Sequence, residues 1–356
     1  MKIIIQPFLD KYGGAERKTM LLAEAYKKKA MNFELITWKY NSKYYSNLGL
    51  QHKIKVIKAK NFTTWIVKVI FRIFTNKNIT DIYAINYPSN IIAGISSFLT
   101  FNKIKSAWMC NEVSFLVNTK RSLIKKIIFG LGELLCIQFI NVIHVNSKTT
   151  FNNLSKTYLK KANKVIYSGI DTKYYDDLIT KNQIDNKFIK KDINFLYIGR
   201  IEKHKGIDIL LKIAEKNPHK IIMMIGNGSY LKQFKAKANF LKNIRFLGNC
   251  SDLKKISFIS RSKLLLFPSP NEPLGVVLIE AIYCGLKVLA FNKGGPCEII
   301  RHNIDGYLTD SENRFIKLAS NFNEDQIQCI HNNNKKYIKS KFNQKNMISE
   351  MLKAWD

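Results

Sequence analysis

Two glutamates, Glu272 and Glu280, stand with seven residues between them in the run Pro268-Ser269-Pro270-Asn271-Glu272-Pro273-Leu274-Gly275-Val276-Val277-Leu278-Ile279-Glu280-Ala281. An apolar strand ends there, a turn follows, and a helix begins near Gly275. The first backbone N–H groups of a helix have no partner inside it, so such a start favours a diphosphate. A carboxylate accepts two hydrogen bonds at once, so each glutamate can grip a vicinal diol, on a sugar or on ribose. The blander readings are a helix-capping acid for Glu272 and a surface helix acid for Glu280. Glu280, however, sits among Leu278, Ile279, Ala281 and Ile282, where an uncompensated charge is costly.

A second constellation, Gly199-Arg200-Ile201-Glu202-Lys203-His204-Lys205-Gly206, lies between a strong strand and a helix. Arg200 and Lys205 flank one loop, where two cations can hold a pyrophosphate and neutralise it as it departs. Gly226-Asn227-Gly228, after the next strand, is a glycine loop but not a full dinucleotide fingerprint. Gly13-Gly14-Ala15-Glu16-Arg17 follows the first strand and opens a helix, and its paired glycines let a ligand approach the backbone.

These loops need elements to position them, and the chain supplies two series. Strand candidates are 2–6, 33–38, 54–57, 81–86, 104–110 and 142–146, then 195–199, 221–226, 244–247, 264–268 and 287–291. Helical stretches alternate with them, among them 16–29, 89–101, 147–159, 206–216, 229–241 and 275–284. Continuous apolar strands alternating with helices predict parallel sheets covered on both faces. A polar stretch around 168–191 separates the series, which predicts two doubly wound α/β domains in tandem. Ligands in such folds sit beyond the carboxyl ends of the strands, and here also in a cleft between lobes.

The composition excludes several classes. A hydrophobic share of 46% rules out a mainly disordered chain. The six cysteines (Cys110, Cys136, Cys250, Cys284, Cys297, Cys329) are scattered without a C-x-x-C pair, which argues against a disulfide framework or zinc site and fits a reducing compartment. The N-terminus reads as a first strand rather than an export signal. The net charge is +32, and residues 1–167 alone hold 27 Lys and Arg against 7 Asp and Glu. Such a field faces something anionic, namely nucleic acid, a phospholipid surface or phosphorylated substrates, unless it reflects a Lys/Asn/Ile-rich AT-biased genome. Residues 61–74 are apolar nearly all round and too short to span a bilayer, so they read as a buried helix with snorkelling cations or as an interfacial helix. The run 127–145 breaks into a helix and a strand, and the cations Lys120, Arg121, Lys125 and Lys126 before it can meet phosphate head groups.

Taken together, E-x7-E, G-R-x4-K-G, the early GGAER and the trailing GGPCEII-x5-GYL (Gly294 to Leu308) resemble retaining glycosyltransferase family 4 over nearly the whole chain. Members with G-G-A-E-R include mannosyltransferases of lipid-linked oligosaccharide assembly and bacterial surface-polysaccharide and lipopolysaccharide enzymes. The resemblance implies a GT-B fold, two Rossmann-like domains with an interdomain cleft. It implies that Arg200 and Lys205 bind the donor diphosphate, Glu280 the ribose, and Glu272 the transferred sugar near the Leu274 and Gly275 amides. Gly226 would lie on the donor side, and Gly13 and Gly14 would let the N-terminal loop close over the reaction centre. It implies no bound metal and no cofactor beyond the nucleotide-diphosphate sugar, with same-face attack, so the glutamates are not a glycosidase pair. Many relatives carry a histidine where this chain reads Asn111-Glu112. Asparagine cannot take a proton, so both residues stand as acceptor-side candidates.

The expectation is therefore an acceptor domain at 1–167, a nucleotide-sugar domain at 168–335, and a last helix within 336–356 packing back on the first. The activity would move a hexose from a UDP- or GDP-sugar to a glycan, on a lipid anchor, at the cytoplasmic membrane face. The alternatives are a sugar-nucleotide epimerase or hydrolase on the same fold, a non-catalytic subunit, and a basic nucleic-acid-binding protein. No nucleic-acid signature accompanies the charge, so nucleic acid is not expected as a partner.

Overall fold

The computed structural model describes residues 1–10, 13–45, 49–111, 134–154, 162–181, 190–322 and 331–354. Glu112, the cations at 120–126, Cys329 and Trp355 lie outside them. The chain forms two compact units, Met1–Tyr167 with Asn346–Asp356, and Ser168–Lys345.

The first unit is built on a seven-stranded sheet in the order β5-β3-β1-β6-β7-β8-β9. Its strands are β1 (Lys2–Ile5), β3 (Phe33–Thr37), β5 (Ile54–Val56), β6 (Asp81–Ile85), β7 (Lys105–Cys110), β8 (Val142–Val145) and β9 (Ala162–Val165). A two-stranded addition pairs β2 (Phe8–Leu9) with β4 (Lys39–Tyr40). The pairings are parallel, with Lys2 opposite Phe33 on one side and Asp81 on the other. The unbroken apolar run of β1 is explained by cover on both faces. Ile3 and Ile5 join Trp65, Val69, Ile73 and Trp108 on one face, while Ile4 joins Leu22, Tyr26, Tyr83 and Met109 on the other.

The second unit carries a six-stranded parallel sheet, β12-β11-β10-β13-β14-β15. These are β10 (Ile193–Ile198), β11 (Ile222–Ile225), β12 (Ile244–Gly248), β13 (Ser262–Phe267), β14 (Lys287–Phe291) and β15 (Gly306–Thr309). The chain leaves β10 to one side through β11 and β12, then returns to the other through β13. The strand order therefore reverses between β10 and β13, and ligands favour the crevice at such a point. Phe195, Leu264, Leu266, Ile213, Phe234 and Phe315 fill the core.

The chain returns to the first unit after Lys345 rather than after residue 335. Helix His331–Lys341 stays with the second unit because Ile338 and Phe342 are buried and the Tyr337 hydroxyl donates to the Ile299 carbonyl at 2.9 Å. Helix Gln344–Leu352 then contributes Met347 and Met351 to the first unit's core.

Candidate nucleotide-sugar site

The loop after β10 and the loop after β13 flank the reversal point, and glycines bring their backbones together. Gly206 has φ +69°, and a Cβ there would lie 2.2 Å from the Pro268 carbonyl oxygen. Gly226, after β11, has φ +135°, and a Cβ would come within 1.9 Å of the Gly199 oxygen. The Ile201 N–H donates to the Asn227 carbonyl at 3.0 Å, tying the loop after β10 to the loop after β11. Glu202 strengthens that tie, accepting from the Ser229 hydroxyl at 2.5 Å and its N–H at 3.1 Å. Those bonds, the hydroxyl's first, hold the Glu202 carboxyl below its ordinary range.

The structure places the predicted residues as follows. Arg200 is exposed and its guanidinium enters no salt bridge among the described residues. Its carbonyl accepts from the buried Tyr197 hydroxyl at 2.8 Å. Burial, then the charge of Glu272, pushes the Tyr197 phenol up, so it stays a neutral donor. Lys205 Nζ donates to Glu272 Oε2 at 2.7 Å, and both side chains are about five-sixths buried. Lys205 and Glu272 therefore form one paired unit rather than two separate contacts.

Helix Val276–Tyr283 starts behind Gly275, which has φ +94° and provides no side-chain cap. The Leu278 N–H returns to the Gly275 carbonyl, and the preceding amides point out of the helix start. The Glu272 carbonyl accepts from the Gly295 N–H at 2.8 Å, and Gly294 and Gly295 pack so closely on Glu272 and Leu274 that side chains would collide. The trailing glycine motif thus clamps the Glu272 turn. Leu274 is buried.

Glu280 is buried, and Lys255 Nζ meets its Oε2 at 2.8 Å. Lys255 also reaches Asp252 at 3.0 Å and the Tyr175 hydroxyl at 3.3 Å. Burial alone would lower the Lys255 pKa, but Glu280 first, then Tyr175 and Asp252, hold it well above the usual lysine value. Sequence reasoning missed Lys255. Its only signal was its place in helix Asp252–Arg261, on the face that buries Ile256 and Ile259. A cavity of about 410 Å³ lies at the ends of β14 and β15, lined by Pro270, Phe291, Asn292, Lys293, Thr309 and Asp310. It includes none of Arg200, Lys205, Glu272 or Glu280.

In the first unit, Gly13 caps helix Gly14–Lys28 without a side-chain bond, and a Cβ on Gly14 would meet nothing within 4 Å. Asn111 follows β7. Its Oδ1 accepts from Lys18 Nζ at 2.7 Å, and its Nδ2 donates to Asn86 Oδ1 at 2.8 Å. Helix Phe62–Thr75 is not buried all round. It buries Trp65, Val69 and Ile73 but exposes Val67, Phe71 and Phe74. Arg72 pairs with Glu34 at 2.8 Å, and Lys68 donates to the Lys58 carbonyl. Phe98 and Phe101, at the end of the neighbouring helix Ser89–Leu99, are also exposed. Among the described residues no helix is long and apolar enough to cross a membrane, and no cluster of His, Cys, Asp and Glu could hold a metal ion.

A family model described as glycosyl transferases group 1 matches residues 179–343. The mouse alpha-1,3/1,6-mannosyltransferase ALG2 is 27% identical over 194 residues, which are 48% of this chain and 46% of that protein. The chain thus matches about half the length of that curated relative. Among solved structures, Anabaena Alr3699/HepE in complex with UDP-glucose superposes with a TM-score of 0.77 at 20% identity, over 99% of both chains. WaaG, a glycosyltransferase involved in lipopolysaccharide biosynthesis, superposes with a TM-score of 0.71 at 14% identity, over 99% of this chain and 98% of its own. At those identities the likeness is one of fold. The chain accordingly has the GT-B fold of two Rossmann-like domains, and its residues 179–343 match the family model of the group 1 glycosyl transferases.

Proposed function

We propose that the chain is a retaining glycosyltransferase that moves a hexose-type residue from a UDP- or GDP-sugar to a glycan acceptor. One observation carries the reading. The loops on either side of the β10/β13 reversal place a cationic side chain, a lysine–glutamate pair and an open helix start within one backbone-stitched frame. Arg200 and the amides at the start of helix Val276–Tyr283 hold the diphosphate. Lys205 shares its charge between Glu272 and the departing phosphate, so the same pair positions the sugar and neutralises the leaving group. Glu280, fixed by Lys255, receives the ribose hydroxyls. These cations do the electrostatic work that a metal would otherwise supply, so the reaction is proposed to need none. The UDP-glucose complex of the Anabaena neighbour supports a nucleotide-sugar donor.

We further propose that the acceptor is lipid-linked and that the first unit rests on an anionic membrane face on the cytoplasmic side, in surface-polysaccharide assembly. The exposed Val67, Phe71 and Phe74 on a helix flanked by lysines support this.

The deciding experiment is thermal unfolding of the chain with UDP, GDP or ADP. One of them should raise the melting temperature, and Glu280→Gln should remove most of that rise. A rise left intact by both Glu280→Gln and Arg200→Ala would refute the donor site.

A further inference from the structure

The carboxyl edge of the first sheet carries a charge that none of its described neighbours balances. Lys18 lies just over one turn into helix Gly14–Lys28 and is 2% exposed. Its Nζ donates to Asn111 Oδ1, Asn111 Nδ2 donates to Asn86 Oδ1, and Asn146 Nδ2 donates to the Asn111 carbonyl at 3.3 Å. Asn86, Asn111 and Asn146 directly follow β6, β7 and β8, so the amides run across three adjacent strand ends at the side of the sheet where ligands bind. Ser89, whose N–H donates to the Asn86 carbonyl at 3.2 Å, opens helix Ser89–Leu99, which no side chain caps. The Ser89 hydroxyl is fully buried and has no hydrogen-bond partner among the described residues.

The titratable groups facing Lys18 do not compensate it. Cys110 ends β7. His144 on β8 is held near 4 by burial, then by Lys164 and Lys18, so it is neutral, and it bonds the Tyr83 hydroxyl at 2.9 Å. Burial, then Tyr26, keeps the Tyr83 phenol protonated. No carboxylate among the described residues reaches the Lys18 amine. Burial accordingly drives its pKa down to about 7, with Cys110 opposing weakly. A buried ammonium that meets only amides is costly, and an anion brought beside it removes that cost, whereas a neutral hydroxyl does not.

We propose that Lys18, Asn111, Asn86 and Ser89 form an oxyanion-holding subsite that takes a phosphate or carboxylate carried by the acceptor. The word acceptor rests on the glycosyltransferase reading; the anion site does not, and its test needs no turnover. Methyl phosphate and glucuronate are titrated calorimetrically into the full chain at constant ionic strength, in an Arg200→Ala background that weakens the second unit's anion site. At least one anion should bind, with affinity falling about ten-fold per pH unit above pH 7 as the amine deprotonates. Lys18→Met should weaken it by about ten-fold or more. Asn111→Asp, which supplies a built-in carboxylate, should displace the anion while leaving the chain at least as stable. Binding of methyl phosphate alone assigns a phosphorylated carrier, glucuronate alone assigns an acidic sugar, and both assign the shared oxyanion chemistry. Failure of both anions to bind, or equal binding by Lys18→Met, overturns the proposal. Loss of the nucleotide-induced melting shift in Glu280→Gln reports separately on the donor reading.

Discussion

Glu280 sits in an apolar helix face that would reject a lone charge, and Lys255 makes it tolerable. Replacing one member of a buried pair leaves the other unbalanced, which typically costs several kcal/mol. Lys255→Met should therefore lower the unfolding free energy in urea by about 3 kcal/mol. The double variant with Glu280→Gln should regain more than half of it. Equal stability of single and double variants would mean that the pair is not coupled. Lys18 gives the opposite sign. Its folded pKa, about 7, lies below the ordinary 10.5, so the cost of the buried ammonium is complete below pH 7 and fades as pH rises toward 10.5. Lys18→Met should be more stable than the parent by about 2 kcal/mol at pH 6, with the gap closing near pH 10. Denaturation curves at pH 6, 8 and 10 check both the sign and the closing. Arg200, Lys205, Glu272 and Glu280 were legible in the sequence because charged residues at fixed offsets from glycines and strand ends carry a local pattern. Lys255, Lys18 and Glu202 were not. A lysine among 58 basic residues has no local mark, so only burial distinguishes Lys18 and Lys255, while Glu202 is marked only by its bonds to Ser229.

At the scale of elements, the loops of the proposed donor site are held by glycines whose neighbours come from elsewhere in the chain. Gly226 combines φ +135° with a backbone oxygen where its Cβ would go. Gly226→Ala should cost about 2 kcal/mol or more and shrink the nucleotide-induced melting shift, since Gly199 and Arg200 must move aside. Gly14→Ala meets open space, and its stability should stay within about 0.5 kcal/mol of the parent. A large loss at Gly14 would show that its backbone is strained. Most strands were legible from their apolar runs, whereas the helices that Ser251 and Ser311 cap were not among those predicted. The short edge strands β9 and β15 were not anticipated. Gly306-Tyr307-Leu308-Thr309 opens on a glycine and becomes a strand only because β14 offers an unpaired edge. The predicted helix over 229–241 shortened to Leu231–Lys237, where one buried residue, Phe234, anchors it.

For the whole molecule, charge and exposed apolar surface make a joint prediction. The net charge is +32, and helix Phe62–Thr75 turns Val67, Phe71 and Phe74 outward. Flotation with anionic vesicles should recover the chain, with binding reduced on the order of ten-fold between 0.1 and 0.5 M salt, because screening shortens the reach of surface charges. Phe71→Ser with Phe74→Ser should weaken binding at every salt concentration. Failure to float at low salt, or vesicle binding indifferent to both changes, would remove the membrane proposal. The sequence by itself determined the doubly wound α/β class, the strand runs and the offsets of the charged residues, because hydrophobic period, glycine spacing and loop chemistry are local properties. Only the tertiary structure decided that Lys205 pairs with Glu272 and Lys255 with Glu280, that Lys18 is entombed beside Asn111, and that one face of helix Phe62–Thr75 is left uncovered. Those outcomes depend on which distant segments share a sheet edge, and burial, which sets the cost of a charge, exists only once they do.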